Sequence, residues 1–306
     1  MSGIYIHIPF CKKACHYCNF HFSTNQNSKS AFIKAVCNEL VLRKSEYTSE
    51  EIQSIYFGGG TPTVLEVSEL NTILQTVYEH YKVSDTSEIT LEANPDDLDL
   101  EKIKRLANTK INRLSIGIQS FHESDLTSMN RAHNAIEAKK CLEIATTYFD
   151  NITIDLMFGM PTMSVAQWRQ NLQTAFEFGI KHLSCYALTV EPKTALEHFI
   201  KKGSHPPMDD ELAAQHFEVL LEETSAQGLT HYETCSFGHP DYFSKHNTSY
   251  WLGKTYMGVG PSAHSFDGSK RSWNVSNNSK YIKALEVDKL PFESEVLSVE
   301  NRFNEY

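Results

Sequence analysis

Six short β-rich runs alternate with longer amphipathic segments over the first 190 residues, and this rhythm limits the possible folds more than any other feature of the chain. GIYIHIPF, QSIYFGGG, SEITLEANP, NRLSIGIQS, NITIDLMFG and HLSCYALTV end near residues 8, 57, 93, 118, 157 and 189. Between the first two, residues 30–44 repeat Phe32, Val36 and Leu40 at four-residue spacing, and Ile33 and Cys37 widen the stripe, which predicts a helix with one buried face. Strand, helix and strand repeated in this order mean a parallel sheet. A closed barrel needs eight such units. Six favour an open, partial (β/α)6 TIM-like barrel over a doubly wound sheet. Both architectures place the working surface at the carboxyl ends of the strands.

Chemistry-bearing residues gather at that end. Cys11 follows the first run, Gly58 to Pro62 the second, Glu92 to Pro95 the third, Gln119 the fourth and Asp155 to Pro161 the fifth, with Arg131 and His133 close behind in MNRAHN. Glycine, proline and aspartate also belong in turns for geometric reasons, so the convergence, rather than any one residue, points to a site. After residue 190 the rhythm changes. Pro206 and Pro207 lead into a helix over about residues 209–227, then the strand-like THYETCSF, the aromatic KHNTSYWLG and the Gly-rich MGVGPSAHSF. Two regions are therefore expected: a barrel over 1–190 and an extension over 191–306 that continues or flanks the sheet. LSVENRFNEY reads as a helix opening at Ser298 without a closing signal, an expectation that the natural chain continues.

Composition narrows the function classes. At 306 residues with 41% apolar side chains, the chain can bury a large core, and its net charge of -10 with no concentrated basic face argues against nucleic acid or an anionic membrane. No apolar stretch is long enough to cross a bilayer and no basic leader precedes one, so a cytoplasmic location is expected. Seven cysteines, an odd number, suggest reduced thiols. Cys37 and Cys141 fall in helical patterns and Cys185 and Cys235 in strand-like ones, as small buried apolar residues. His80, His182, His198 and His216 read as helical or helix-edge residues without metal spacing; His264 is a weaker candidate for the active face.

The remaining three cysteines stand in HIPFCKKACHYCNFHF, with Cys11, Cys15 and Cys18 spaced C-x3-C-x2-C and Phe20 where a further cysteine could have followed. Three thiolates on one loop suit zinc, an iron-sulfur centre or a redox pair. Zinc would draw a fourth ligand from His7, His16 or His21, yet no second ligand pair follows. A redox pair leaves one cysteine over. A [4Fe-4S] cluster with one iron free of protein ligands uses all three.

The C-x3-C-x2-C loop after a first strand, Tyr17 before its last cysteine and GGGTP at the next strand end resemble the radical S-adenosylmethionine (SAM) superfamily. YIHIPFCKKACHYCNF, YFGGGTPT, LEANPDD, RLSIGIQSF, MNRAHN, IDLMFGMP and HNTSYW, in this order over nearly the whole chain, are similar to the branch containing oxygen-independent coproporphyrinogen III oxidase and a related haem chaperone family. The resemblance implies a [4Fe-4S] cluster whose metal ligands are Cys11, Cys15 and Cys18, and SAM contacts at Tyr5, Tyr17, Gly59, Gly60, Thr61, Glu92, Gln119, Arg131, Asp155 and Ala187. Physically, glycine carbonyls can approach the methionine amine, Glu92 and Asp155 can accept from ribose hydroxyls or the amine, and Arg131 can face the carboxylate.

Two features bear on the branch. The oxidases carry a cysteine at the place of Phe20 and a long N-terminal arm, and this sequence starts three residues before IYIHIP, so the resemblance favours the chaperones. HNTSYW resembles their haem-binding H-N-x-x-Y-W motif, which implies His246, Asn247, Tyr250 and Trp251 as haem contacts. The competing reading makes Tyr250 and Trp251 core aromatics and His246 a helix-start residue with a local hydrogen bond. The expected function is a chaperone that binds cluster, SAM and haem and hands haem to acceptor proteins, respiratory ones among them. Dimerisation and peripheral membrane docking belong to what a C-terminal part could add. The alternatives are a coproporphyrinogen oxidase and a zinc-dependent binding protein.

Overall fold

The computed structural model describes residues 2–47, 51–298 and 300–301. All six expected strands are present and parallel: β1 (Ser2–Ile8), β2 (Ile52–Gly59), β3 (Val83–Ala93), β4 (Arg113–Gln119), β5 (Ile152–Phe158) and β6 (His182–Ala187). Helices α1 (Lys29–Leu42), α2 (Val67–His80), α3 (Leu100–Ala107), α4 (Glu123–Ser128), α5 (Ala135–Tyr148) and α6 (Val165–Glu177) lie between them. Then come α7 (Ala195–Lys201), α8 (Asp210–Ala226), β7 (Thr230–His231), β8 (Ser236–Gly238), α9 (Lys245–Trp251), β9 (Tyr256–Val259), β10 (His264–Phe266), β11 (Lys270–Asn274), α10 (Asn278–Leu285) and β12 (Phe292–Val296). The helix expected from Ser298 falls largely outside the described residues.

The extension continues the sheet at both edges, giving the order β12-β11-β10-β9-β1-β2-β3-β4-β5-β6-β8-β7. No pairing joins the two outer strands among the described residues, so the sheet is open, as six units require. Two expectations need correction. THYETCSF is not one strand: it breaks into β7 and β8, and Cys235 lies in the bend between them, where the Glu233 carboxylate accepts from the Cys235 amide at 3.3 Å. His182 is not helical; it opens β6 and is fully buried, with Nδ1 2.9 Å from Thr153 Oγ1 and Nε2 2.7 Å from Tyr232 Oη.

The two faces of the sheet differ in chemistry. Ile4, Ile6 and Ile8 on β1, and Ile55 and Phe57 on β2, are buried under α1 and α2, as period-2 alternation demands. Phe10 meets Phe32 of α1 edge-on at 5.3 Å. Positions on the opposite face are largely polar: Tyr5 and His7, Ser54 and Tyr56, Glu88 and Glu92, Arg113 and Ser115, Thr153 and Asp155. A closed structural barrel fills its interior with branched aliphatics. Here the interior is polar, and the hydrophobic core sits outside it, between sheet and helices.

Helix α9 closes the amino-terminal end of this interior. Glu88, 5% exposed, accepts from the backbone amides of Lys245 at 2.9 Å and His246 at 3.1 Å. A carboxylate there satisfies amides that have no partner within the helix. Glu88 is balanced by buried Arg113, whose Nε lies 3.9 Å away. At the far edge, fully buried Glu39 fastens the extension to α1. It accepts from Tyr281 Oη at 2.6 Å, Asn274 Nδ2 at 2.8 Å, the Gly260 amide at 2.9 Å and Arg43 Nη1 at 3.2 Å.

Candidate cofactor pocket at the barrel mouth

The loop after β1 is held by its polar residues, which leaves its thiols unengaged by one another. Its ends meet where the Cys11 amide donates to Ser23 O at 3.1 Å and the Ser23 amide to Pro9 O at 2.9 Å. Lys12 pairs with Asp96 at 3.0 Å and also with Asp97. Asn130 Nδ2 donates to Ala14 O at 2.7 Å, the His16 amide to Met129 O at 3.1 Å, and His16 Nδ1 to Ser128 O at 2.8 Å. The loop is thus clamped to the segments after β3 and β4. Cys11, Cys15 and Cys18 are free and partly exposed.

These thiols border a cavity of about 550 Å³, within the range of small-molecule sites. Tyr17, Gly59, Gly60, Thr61, Glu92, Gln119, Arg131, Asp155 and Ala187 line it with the three cysteines. Tyr5 does not; it lies one layer deeper, its hydroxyl 3.2 Å from His7 Nδ1. Asn94, Ser115 and Tyr186 also line the cavity; Asn94 fell within the Glu92 to Pro95 span without being singled out, and Ser115 and Tyr186 were missed by sequence reasoning. Tyr186 could have been found by period 2 from β6, since it pairs with Met157 of β5.

Arg131 joins the cluster loop to the cavity floor. Its Nη1 donates to Cys15 Sγ and Tyr17 Oη, each at 3.3 Å, and its Nη2 to Asn94 Oδ1 at 2.7 Å and Gly117 O at 2.8 Å. Asn94 Nδ2 donates to Thr61 Oγ1 at 3.1 Å, and Thr61 Oγ1 to Cys11 Sγ at 3.5 Å. Burial pushes the Cys11 thiol up to about 11 and raises Cys18 as well. Burial likewise pushes Glu92 up to about 7, against the Tyr56 hydroxyl that donates to it at 2.8 Å. It pushes Asp155 up to about 6, against Arg113 and Arg131. Two carboxyls held near neutrality face one guanidinium across a cavity, a donor set suited to a zwitterionic ligand with hydroxyls.

The zinc alternative finds no assembled ligand set. His7 Nε2 donates to His21 O at 2.9 Å, His16 Nδ1 to Ser128 O, and His21 Nε2 lies 2.7 Å from Asn278 Oδ1. Among the described residues, no three His, Cys, Asp or Glu side chains converge on a single-ion position. The thiols border a space rather than a point. Gly60 keeps that space open: a Cβ there would lie 3.0 Å from Cys11 Sγ and 2.7 Å from Phe10 O. Three thiols around an open volume fit a multi-iron cluster.

HNTSYW lies elsewhere. It forms α9, at the opposite end of the barrel. His246 is 1% exposed, with Nδ1 2.8 Å from Ser54 Oγ and Nε2 2.8 Å from Tyr250 Oη. Burial pushes it down to about 3, so it is neutral. The Asn247 amide donates to the capping Ser244 hydroxyl at 3.2 Å, while Tyr250 and Trp251 are 39% and 53% exposed. His264 belongs to neither place; it edges a separate cavity with Trp273 in the extension.

A sequence profile of the radical SAM superfamily matches residues 5–175. The haem chaperone HemW of Bacillus subtilis (strain 168) is 35% identical over 297 residues, spanning 95% of this chain and 78% of the relative. The haem chaperone HemW of Escherichia coli (strain K12) is 34% identical over 267 residues, spanning 86% and 69%. This chain belongs to the HemW family of radical SAM proteins. Its fold is shared with the coproporphyrinogen III oxidase HemN of Escherichia coli, at a TM-score of 0.85 and 22% identity over 98% of this chain and 73% of that one. Membership of the superfamily implies a [4Fe-4S] cluster and SAM, and the mouth of the barrel has the thiols and the volume for them. In this HemW-family chain Phe20 is 69% exposed on the cavity rim, where it supplies an apolar edge and no fourth sulfur.

Proposed function

We propose that this chain is a haem chaperone of the HemW type, with cluster and SAM in the barrel mouth and haem as its cargo. Cys11, Cys15 and Cys18 hold the cluster. Tyr17, Gly59, Gly60, Thr61, Glu92, Gln119, Arg131, Asp155 and Ala187 surround SAM, and Tyr5 supports them from the layer below. When bound, cluster and SAM supply redox and radical chemistry; the chain's own part is to orient them, with Glu92 and Asp155 placed to accept from hydroxyls or the amine and Arg131 to face the carboxylate.

The observation that carries the haem reading is the surface at the end of α9. Tyr250, Trp251 and Leu252 are consecutive and 39%, 53% and 59% exposed, an apolar, aromatic face of the kind a flat macrocycle stacks on. His246 holds Tyr250 from behind through its hydroxyl, and Asn247 lies on the same helix. An acceptor protein, respiratory ones included, receives the haem. No helix among the described residues is long and apolar enough to cross a membrane. A cytoplasmic location, peripheral contact with a membrane-bound acceptor and a homodimer belong to the same proposal. Titration of cluster-loaded protein with haem, followed by mixing with an apo-haem protein, tests this. Saturable binding weakened by Trp251→Ala, and transfer to the acceptor, are expected; vinyl formation from coproporphyrinogen III with reductant and SAM would make the protein an oxidase instead.

A further inference from the structure

The H-N-x-x-Y-W face and the cofactor cavity lie at opposite ends of the barrel, yet an unbroken line of side chains joins them. Tyr250 Oη lies 2.8 Å from His246 Nε2. The His246 ring stacks on Tyr56 at 5.0 Å and 26°, and Tyr56 Oη donates to Glu92 Oε1 at 2.8 Å. Glu92 lines the cavity. Tyr5 flanks the line, 6.1 Å from Tyr56 and 6.4 Å from His246.

The line is built into the strands. A Cβ on Gly3 would stand 3.1 Å from the His246 ring and 2.8 Å from Ser54 Oγ, and one on Gly58 would stand 2.9 Å from Tyr5, 3.0 Å from Tyr56 and 3.1 Å from Glu92 Oε1. Both strands leave out a side chain where the stack passes. His246 is fixed on every side, by Ser54, by Tyr250, by Tyr56 and by Glu88 at its amide. Packed groups of this kind pass displacements on instead of absorbing them.

We propose that His246 is a positioning residue that couples the Tyr250–Trp251 face to the SAM cavity through Tyr56 and Glu92, rather than a ligand presented to haem. A ligand that engages Glu92 moves Tyr56, and the stack carries that movement to α9. Linkage then makes the effect reciprocal. The haem arm of this inference rests on the function proposed above; the coupling itself does not.

Cluster-loaded protein labelled with 5-fluorotryptophan separates the two. Trp168, Trp251 and Trp273 give three fluorine resonances, assigned through Trp251→Phe. SAM should shift the Trp251 resonance in the wild type. Tyr56→Phe keeps the stack and deletes the bond to Glu92, and Tyr250→Phe deletes the bond to His246 at the partly exposed end. Each should still bind SAM and lose most of the shift. With haem present, the wild-type SAM Kd should change about fivefold or more, and by less than about twofold in Tyr56→Phe. A Trp251 resonance indifferent to SAM, or shifting equally in both variants, overturns the coupling. Failure of haem to bind while the Trp251 shift persists overturns the cargo and leaves the coupling intact.

Discussion

Replacing Glu92 by glutamine should flatten the pH dependence of stability by an amount the structure sets. Burial raises the Glu92 carboxyl from 4.5 to about 7, with the charge of Asp155 adding to the effect and the Tyr56 hydroxyl opposing it. The folded protein therefore holds this proton more tightly than the unfolded chain does. The corresponding stability is complete below pH 4.5 and is lost as the pH rises through about 7. At about 1.4 kcal/mol per pH unit the full window amounts to about 3 kcal/mol. The side chain looks onto the water of an open cavity, which reduces the measurable part to about 1–2 kcal/mol. Between about pH 6 and 8, the wild type should lose about 1 kcal/mol more than Glu92→Gln. Urea unfolding of cluster-loaded protein under anaerobic conditions, followed by tryptophan fluorescence, measures the difference. Parallel stability curves for the two proteins across this range would refute the reasoning, since they would mean that Glu92 already ionises at its ordinary value.

Four further substitutions probe the rest. Cys15→Ala should abolish bound iron and sulfide together, and with them SAM binding, by elemental analysis and equilibrium dialysis. Gly60→Ala places a methyl 2.7 Å from Phe10 O and 3.0 Å from both Cys11 Sγ and Ile8 O; it should cost about 1–3 kcal/mol in thermal unfolding and reduce cluster content. Arg131→Lys keeps the charge and loses the fork that serves Asn94, Gly117, Cys15 and Tyr17 at once, so SAM should bind about tenfold more weakly in calorimetry. Tyr281→Phe removes the 2.6 Å bond to buried Glu39 and should destabilise the protein by about 1–2 kcal/mol in urea, without changing SAM affinity.

Local signals carried much of the fold. Each of the six parallel strands announced itself by a β-rich run closed by a turn, and α1 by its four-residue repeat, because periodicity is a property of neighbours in sequence. The cavity was legible for the same reason: its residues sit at strand ends, and the parallel sheet brings strand ends together. What escaped depended on tertiary closure. Nothing local in KHNTSYW shows that α9 plugs the barrel and buries His246 against Ser54 and Tyr56, almost 200 residues away in the chain. The polar interior was present as alternation in SEITLE and NRLSIG, but it takes the curled sheet to show which alternate face is the enclosed one. THYETCSF misled because its β-propensity hides the bend at Thr234 and Cys235. His182 misled because a histidine opening a buried strand needs distant partners, Thr153 and Tyr232.

The most direct test is iron, acid-labile sulfide, zinc and haem analysis of a single anaerobically reconstituted preparation. Iron and sulfide in equal amounts of about four each per chain, negligible zinc, and haem taken up on top of the cluster are predicted. Folded protein that holds stoichiometric zinc and no inorganic sulfide would contradict the assignment of Cys11, Cys15 and Cys18, and with it the function built on them.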